Sequence, residues 1–168
     1  MPESKILVVM GSDSDFGVME PCLAALRELG VQYDAQVCSA HRSPARASAL
    51  ALSAEDDGYG VVIAAAGLAA HLPGVLAAYT TLPVIGVPIA GGALKGMDAL
   101  LAIVQMPPGI PVATVAIDGA VNAAVLACQI LATADKALSE RLKSYKKKLE
   151  DGVEQRNRRL QDKLAGRT

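Results

Sequence analysis

An α/β fold in three layers, with helices on both sides of a parallel five-stranded sheet, is predicted by two features of the 168-residue sequence. The first is a series of five apolar, β-branched runs: "KILVVM" (5–10), "YDAQVCS" (33–39), "GVVIAAA" (60–66), "LPVIGVP" (82–88) and "IPVATVAI" (110–117). The second is that the segments between them carry helical periodicity. Strands alternating with helices at this spacing form βαβ units, which assemble a doubly wound parallel sheet of flavodoxin-like type.

Each element has its own signal. After the first run, "FGVMEPCLAALRELG" places Met19, Leu23, Leu26 and Leu29 on one helical face. Gly30 suits the position just past the helix end, and Pro21 lies near its start. The second run leads into "SAHRSP", where Pro44 opens a helix through "ARASALALSAE". The third run is almost without bulk and passes through "GLAAHLPG" into the next helix, opened by His71. A long last helix is expected from near Gly119 or Asn122 through "NAAVLACQILATADKALSERLKSYKKKLE", with an interruption at Gly152. The chain, residues 1–168, is read as one α/β domain, with residues from about 135 to 168 a charged C-terminal helical extension. Leu138, Leu142, Tyr145 and Leu149 continue an apolar stripe along that extension, which either folds back on its own domain or meets a second copy.

Composition removes several function classes. Without Trp, and with one Phe and four Tyr, the chain has few aromatic platforms for a bound ring system. No apolar run reaches the roughly 18 residues of a membrane span, and "MPESKILVVM" is too weakly charged and too short in its apolar part for a signal peptide. Cys22, Cys38 and Cys128 are odd in number and lack CxxC spacing, so they are expected to be reduced thiols of a cytoplasmic protein with no metal site. Residues 1–134 hold five Lys/Arg against eleven Asp/Glu (−6), and residues 135–168 hold eleven against six (+5). Signs alternate in the tail ("EDGVEQRNRRLQDK"), the pattern of a solvated helix face rather than a nucleic-acid footprint.

In a parallel sheet the loops after the strands gather at one edge, where ligands bind. Here they are "GSDSDF" (11–16), "SAHRSP" (39–44), "GLAAHLPG" (67–74) and "IAGGALKG" (89–96), and both histidines of the chain, His41 and His71, lie among them. Ser12, Ser14 and backbone N–H groups of the first loop suit an anion or a polar ligand. Asp15 suits ribose hydroxyls, or else caps the helix. Arg42, with Ser39 or Ser43 beside it, suits phosphate, the alternative being a surface ion pair. Gly67 and the flanking alanines allow close backbone approach and leave a small apolar niche. Cys38 belongs to a strand end and is a poor nucleophile. A serine hydrolase elbow, a receiver's acceptor aspartate at the end of the third strand, and GxGxxG are all missing.

The order and spacing of "GSDSD", "SAHRSP", "AAHLPG", "LPVIGVP", "IVQMPPGIPVATVAI" and "NAAVLA" over residues 4–133 resemble the N5-carboxyaminoimidazole ribonucleotide mutase branch (class I) of the aminoimidazole ribonucleotide carboxylase family of purine biosynthesis. The carboxylase branch carries Lys in place of the Arg and a different third loop, whereas this chain has His41-Arg42-Ser43-Pro44 and Ala69-Ala70-His71-Leu72-Pro73-Gly74. Two departures stand out. Leu68 occupies a position where glycine is common, narrowing the niche, and "IDGAVNAA" is a short final loop.

The resemblance implies an isomerase that moves a carboxylate from the exocyclic nitrogen of a small ribonucleotide to ring carbon 4, with no cofactor and no metal. It implies Ser12 and Asp15 on the ribose side, and Ser39 with Arg42 at the phosphate and carboxylate region. Gly67 and His71 would lie beside the migrating carboxylate, with His41 the proton shuttle. A homo-octamer is implied too. The alternatives are a carboxylase using free carbon dioxide and a non-catalytic nucleotide-binding module.

Overall fold

A computed structural model of the chain describes residues 5–167; the first four residues, with the start of the segment weighed as a leader, and Thr168 lie outside the described residues. The strands are β1 (Lys5–Met10), β2 (Tyr33–Val37), β3 (Tyr59–Gly67), β4 (Val84–Ile89) and β5 (Ala113–Thr114). The helices are α1 (Phe16–Glu28), α2 (Pro44–Ser53), α3 (Leu72–Tyr79), α4 (Met97–Val104), α5 (Ala120–Ala132) and α6 (Lys136–Leu164).

All four strand pairings are parallel, in the order β2-β1-β3-β4-β5. The doubly wound architecture is as the alternation predicts. Because β1, β3 and β4 are central, both of their faces must be apolar. Ile6, Val8 and Met10 of β1 join α1, α5 and the start of α6 in one core, and Leu7 and Val9 join α2, α3 and α4 in the other. β2 is an edge strand and is largely exposed. Gly86 in β4 has a packing reason: a Cβ there would overlap Cγ2 of Ile103 and come within 2.9 Å of Val112.

The structure corrects three expectations. The run at 110–117 yields a strand of two residues, since Pro111 lacks an N–H and the run lies on an edge. It still follows β4: the Val115 N–H donates to Gly86 O and the Asp118 N–H to Pro88 O. Those donors are three residues apart and their acceptors two, so one extra residue is accommodated, as in a bulge.

The single last helix is two. α5 ends at Ala132, and α6 begins after Asp135, whose carboxylate accepts the Leu138 N–H at 3.0 Å. Gly152 does not interrupt α6. A glycine costs a helix only about 1 kcal/mol, and the turn just before it carries Lys147 contacts to Glu150 and Asp151 at 2.9 and 3.2 Å. Along α6, Leu138 and Leu142 are buried and Tyr145 packs on the first core, whereas Leu149, Val153, Leu160 and Leu164 are exposed. The stripe therefore folds back over its first half only.

Candidate active site

Strand order reverses between β1 and β3, the switch point at which open α/β sheets bind ligands. A cleft of about 600 Å³ opens there, walled by the loops after β1, β2, β3 and β4. Ser12, Asp15, Ser39, His41, Arg42, Gly67 and His71 all line it. The loop convergence expected from the sequence brings these seven together.

The first loop is a closed hydrogen-bonded turn. Ser12 Oγ accepts the Ser14 N–H at 3.3 Å, and the Asp15 carboxylate accepts the Ser12 N–H at 3.0 Å, making a capping box. Ser14 Oγ donates to Ser12 Oγ at 2.8 Å. Asp15 is thus a structural cap as well as a cleft residue. It is buried, and burial raises its carboxyl above the ordinary range, an effect opposed by the Ser12 N–H and Ser14.

The second loop is held by Ser39, whose carbonyl accepts the Ser43 N–H and the Ser43 hydroxyl, both at 2.8 Å. Ser39 Oγ accepts the Arg42 N–H at 3.2 Å. The Arg42 guanidinium is exposed and, among the described residues, makes no ion pair, leaving its fork available to an anion. Cys38 is buried, as its place at a strand end predicts.

The third loop supplies the floor. Ala64, Ala65 and Ala66 end β3 in side chains that barely rise from the sheet, and Ala66 and Gly67 line the cleft. The next residue, Leu68, adopts φ +53°, a conformation that disfavours any residue but glycine. This gives a backbone reason for the glycine that the resemblance expects at that position. Leu68 also meets the wall made by the fourth loop: a Cβ on Gly92 would lie 2.7 Å from its Cδ2.

The two histidines meet. His41 Nε2 and His71 Nδ1 lie 2.8 Å apart, with ring centroids at 4.9 Å and planes at 66°. One ring donates and the other accepts, so the contact holds one proton between facing nitrogens. Both rings are exposed at the cleft. Among the described residues, no group of three or more His, Cys, Asp or Glu is disposed to hold a metal ion.

Residue-level reading of the sequence passed over Gly91, Gly92 and Ala90, which form the fourth wall. It also passed over Asp118, which anchors that wall by accepting the Ala90 N–H at 2.8 Å. The "DG" dipeptide after the fifth run was the available signal, as a turn marker at the same sheet edge.

The chain is similar to known proteins over most of its length. A family model described as AIR carboxylase matches residues 5–152. The N5-carboxyaminoimidazole ribonucleotide mutase of Pyrococcus horikoshii is 53% identical over 155 residues, covering 92% of this chain and 88% of the relative. The Escherichia coli K12 protein of the same name is 51% identical over 152 residues, covering 89% and 90%. The crystal structure of Treponema denticola PurE superposes with a TM-score of 0.85 at 26% identity, over 94% of this chain and 98% of that one. By the family model across most of its length, and by relatives of about half-identical sequence, the chain belongs to the AIR carboxylase family.

Proposed function

We propose that the chain is an N5-carboxyaminoimidazole ribonucleotide mutase, an isomerase of purine biosynthesis. The observation that carries this reading is the contact between His41 and His71 at a cleft that also bears the exposed Arg42 side chain. Relatives bearing that name across nearly their whole length support it.

The substrate is a carbamate on the exocyclic nitrogen of an aminoimidazole ribonucleotide. Proton transfer from His41 to that nitrogen turns it into a leaving group, and the C–N bond breaks to release carbon dioxide. The aminoimidazole left behind is an enamine, and its carbon 4 attacks the trapped carbon dioxide, forming the new C–C bond. Loss of the carbon 4 proton to His41 restores aromaticity and returns the imidazole to its starting state. An imidazole is the side chain suited to giving and taking a proton near neutral pH. General acid–base help of this kind is worth about 10²–10⁴-fold. His71, hydrogen-bonded to His41 at 2.8 Å, orients its ring and offers a route by which the proton can be relayed.

The rest of the rate enhancement comes from keeping the freed gas beside carbon 4. The alanine floor and the Gly67 backbone suit a small apolar cage there. Ser12 and Asp15 take the ribose, and Ser39 and Arg42 the phosphate and carboxylate region.

We also propose a homo-octamer in the cytoplasm, each copy one α/β domain with a helical extension. Leu94, just before α4, and Met97, Leu101 and Val104 along it are exposed apolar side chains. Beside it, a groove of about 480 Å³ lined by Tyr79, Ala102 and Met106 shares His71 with the cleft. An apolar face continuous with the site suits burial by neighbouring copies. Three buried free cysteines accord with a reducing compartment, and among the described residues no helix is long and apolar enough to cross a membrane.

Separate assays with the carbamate and with free aminoimidazole ribonucleotide plus carbon dioxide test the reading. Rapid turnover of the carbamate is expected. Turnover only with the free amine would make the chain a carboxylase, and binding without turnover of either would make it a nucleotide-binding module. Sedimentation of a stable, active monomer would remove the octamer.

A further inference from the structure

We infer that Asp118, which does not line the cleft, is a positioning residue for the ribonucleotide site. It holds the Ala90–Gly92 wall in place. The functional part of this inference rests on the mutase reading above.

The extra residue accommodated beyond β5 places Asp118 at φ +56°, in the left-handed region that aspartate tolerates better than most residues. In that conformation one residue spans the end of β4 in two ways. Its N–H donates to Pro88 O at 2.8 Å, and its Oδ1 accepts the Ala90 N–H at 2.8 Å. Its own carbonyl accepts the Ala120 N–H at 2.8 Å, which ties the staple to the start of α5.

Ala90 is the first residue past β4, and the carboxylate supplies the partner that its N–H lacks once the ladder ends. Ile117, the residue before Asp118, lies against the far end of the same loop. A Cβ on Gly96 would lie 2.8 Å from Cγ2 of Ile117 and 3.0 Å from Cα of Ala90. The two ends of the Ala90–Gly96 loop therefore meet, and residues 117 and 118 hold both. The loop in turn presses on the third loop through Gly92 and Leu68. A shift at Ala90 is therefore expected to reach Leu68, beside the Gly67 floor, through this contact. Among the described residues Asp118 forms no ion pair, so its role is that of an oriented acceptor rather than a paired charge.

Two variants separate acceptor from backbone. Asp118→Gly allows the left-handed φ but removes the acceptor, and Asp118→Asn keeps an oxygen at the same place. With the carbamate substrate, Asp118→Gly is expected to raise KM about tenfold, and Kd for the aminoimidazole ribonucleotide alike, with kcat within about threefold. Its Ala90 amide should exchange with solvent about tenfold faster while amides of β3 keep their protection. Asp118→Asn should restore KM, Kd and Ala90 exchange to within about twofold of the parent. Unaltered KM and Kd in Asp118→Gly, or equal damage in Asp118→Asn, would overturn the inference. So would β3 amides that exchange faster along with Ala90. A parent chain without turnover would refute the mutase reading instead, while Ala90 exchange and nucleotide affinity still decide the role of Asp118.

Discussion

His41 Nε2 and His71 Nδ1 sit 2.8 Å apart although the two residues leave the sheet from different strands, β2 and β3, with β1 between them. Replacing His41 by Asn removes the titrating group and keeps a polar side chain of similar reach. Turnover is expected to fall by about 10²–10⁴-fold, with nucleotide affinity within about threefold of the parent. Single-turnover kinetics beside calorimetric titration would check this. Retained turnover would reassign the proton transfer.

Asp15 makes stability depend on pH. Burial raises its carboxyl above the ordinary value of 3.8. A carboxyl raised in the folded state favours folding while protonated, below 3.8, and this contribution is lost as pH rises through the folded value. At pH 7 the buried charge therefore opposes folding. Asp15→Asn, which keeps an oxygen for the Ser12 N–H, should be more stable than the parent at pH 7, with the advantage shrinking toward about pH 4. Urea midpoints across that range are the measurement. A less stable Asn variant at pH 7 would mean that the charged cap outweighs burial.

The cysteines should be silent. Burial pushes the Cys22 thiol up to about 12 and Cys128 to about 11, so neither forms appreciable thiolate near neutral pH. Iodoacetamide with mass spectrometry should label them only after denaturation. Above about pH 9, where an unfolded thiol ionises and these cannot, their contribution to stability is expected to fall.

Gly86 tests the packing of β4 on α4. The Cβ of Gly86→Ala would overlap Ile103 Cγ2 and crowd Val112, an overpacking expected to cost about 1–3 kcal/mol. Thermal unfolding would show it. An unchanged midpoint would mean that α4 moves away without penalty.

The sheet and the cleft could be read from the sequence because central parallel strands must be apolar on both faces, and because parallel direction sends every strand's end to one edge. Ile6 through Met10 and Val61 through Ala66 announce themselves in this way. What escaped lies where one local group decides. The break before α6 rests on the Asp135 cap amid a continuous apolar pattern, and β5 is cut short by Pro111 on an edge. The Asp118 staple was hidden because it joins residues 28 apart in the chain.

One of the paired imidazoles follows a largely exposed outer strand, while its partner follows a strand locked into the middle of the sheet. If the pair relays a proton as proposed, the outermost ribbon of the sheet is its weak hinge. On warming, catalysis should fade before bulk melting, as loosening of β2 draws the rings apart while the nucleotide's cradle at β1 and β3 persists.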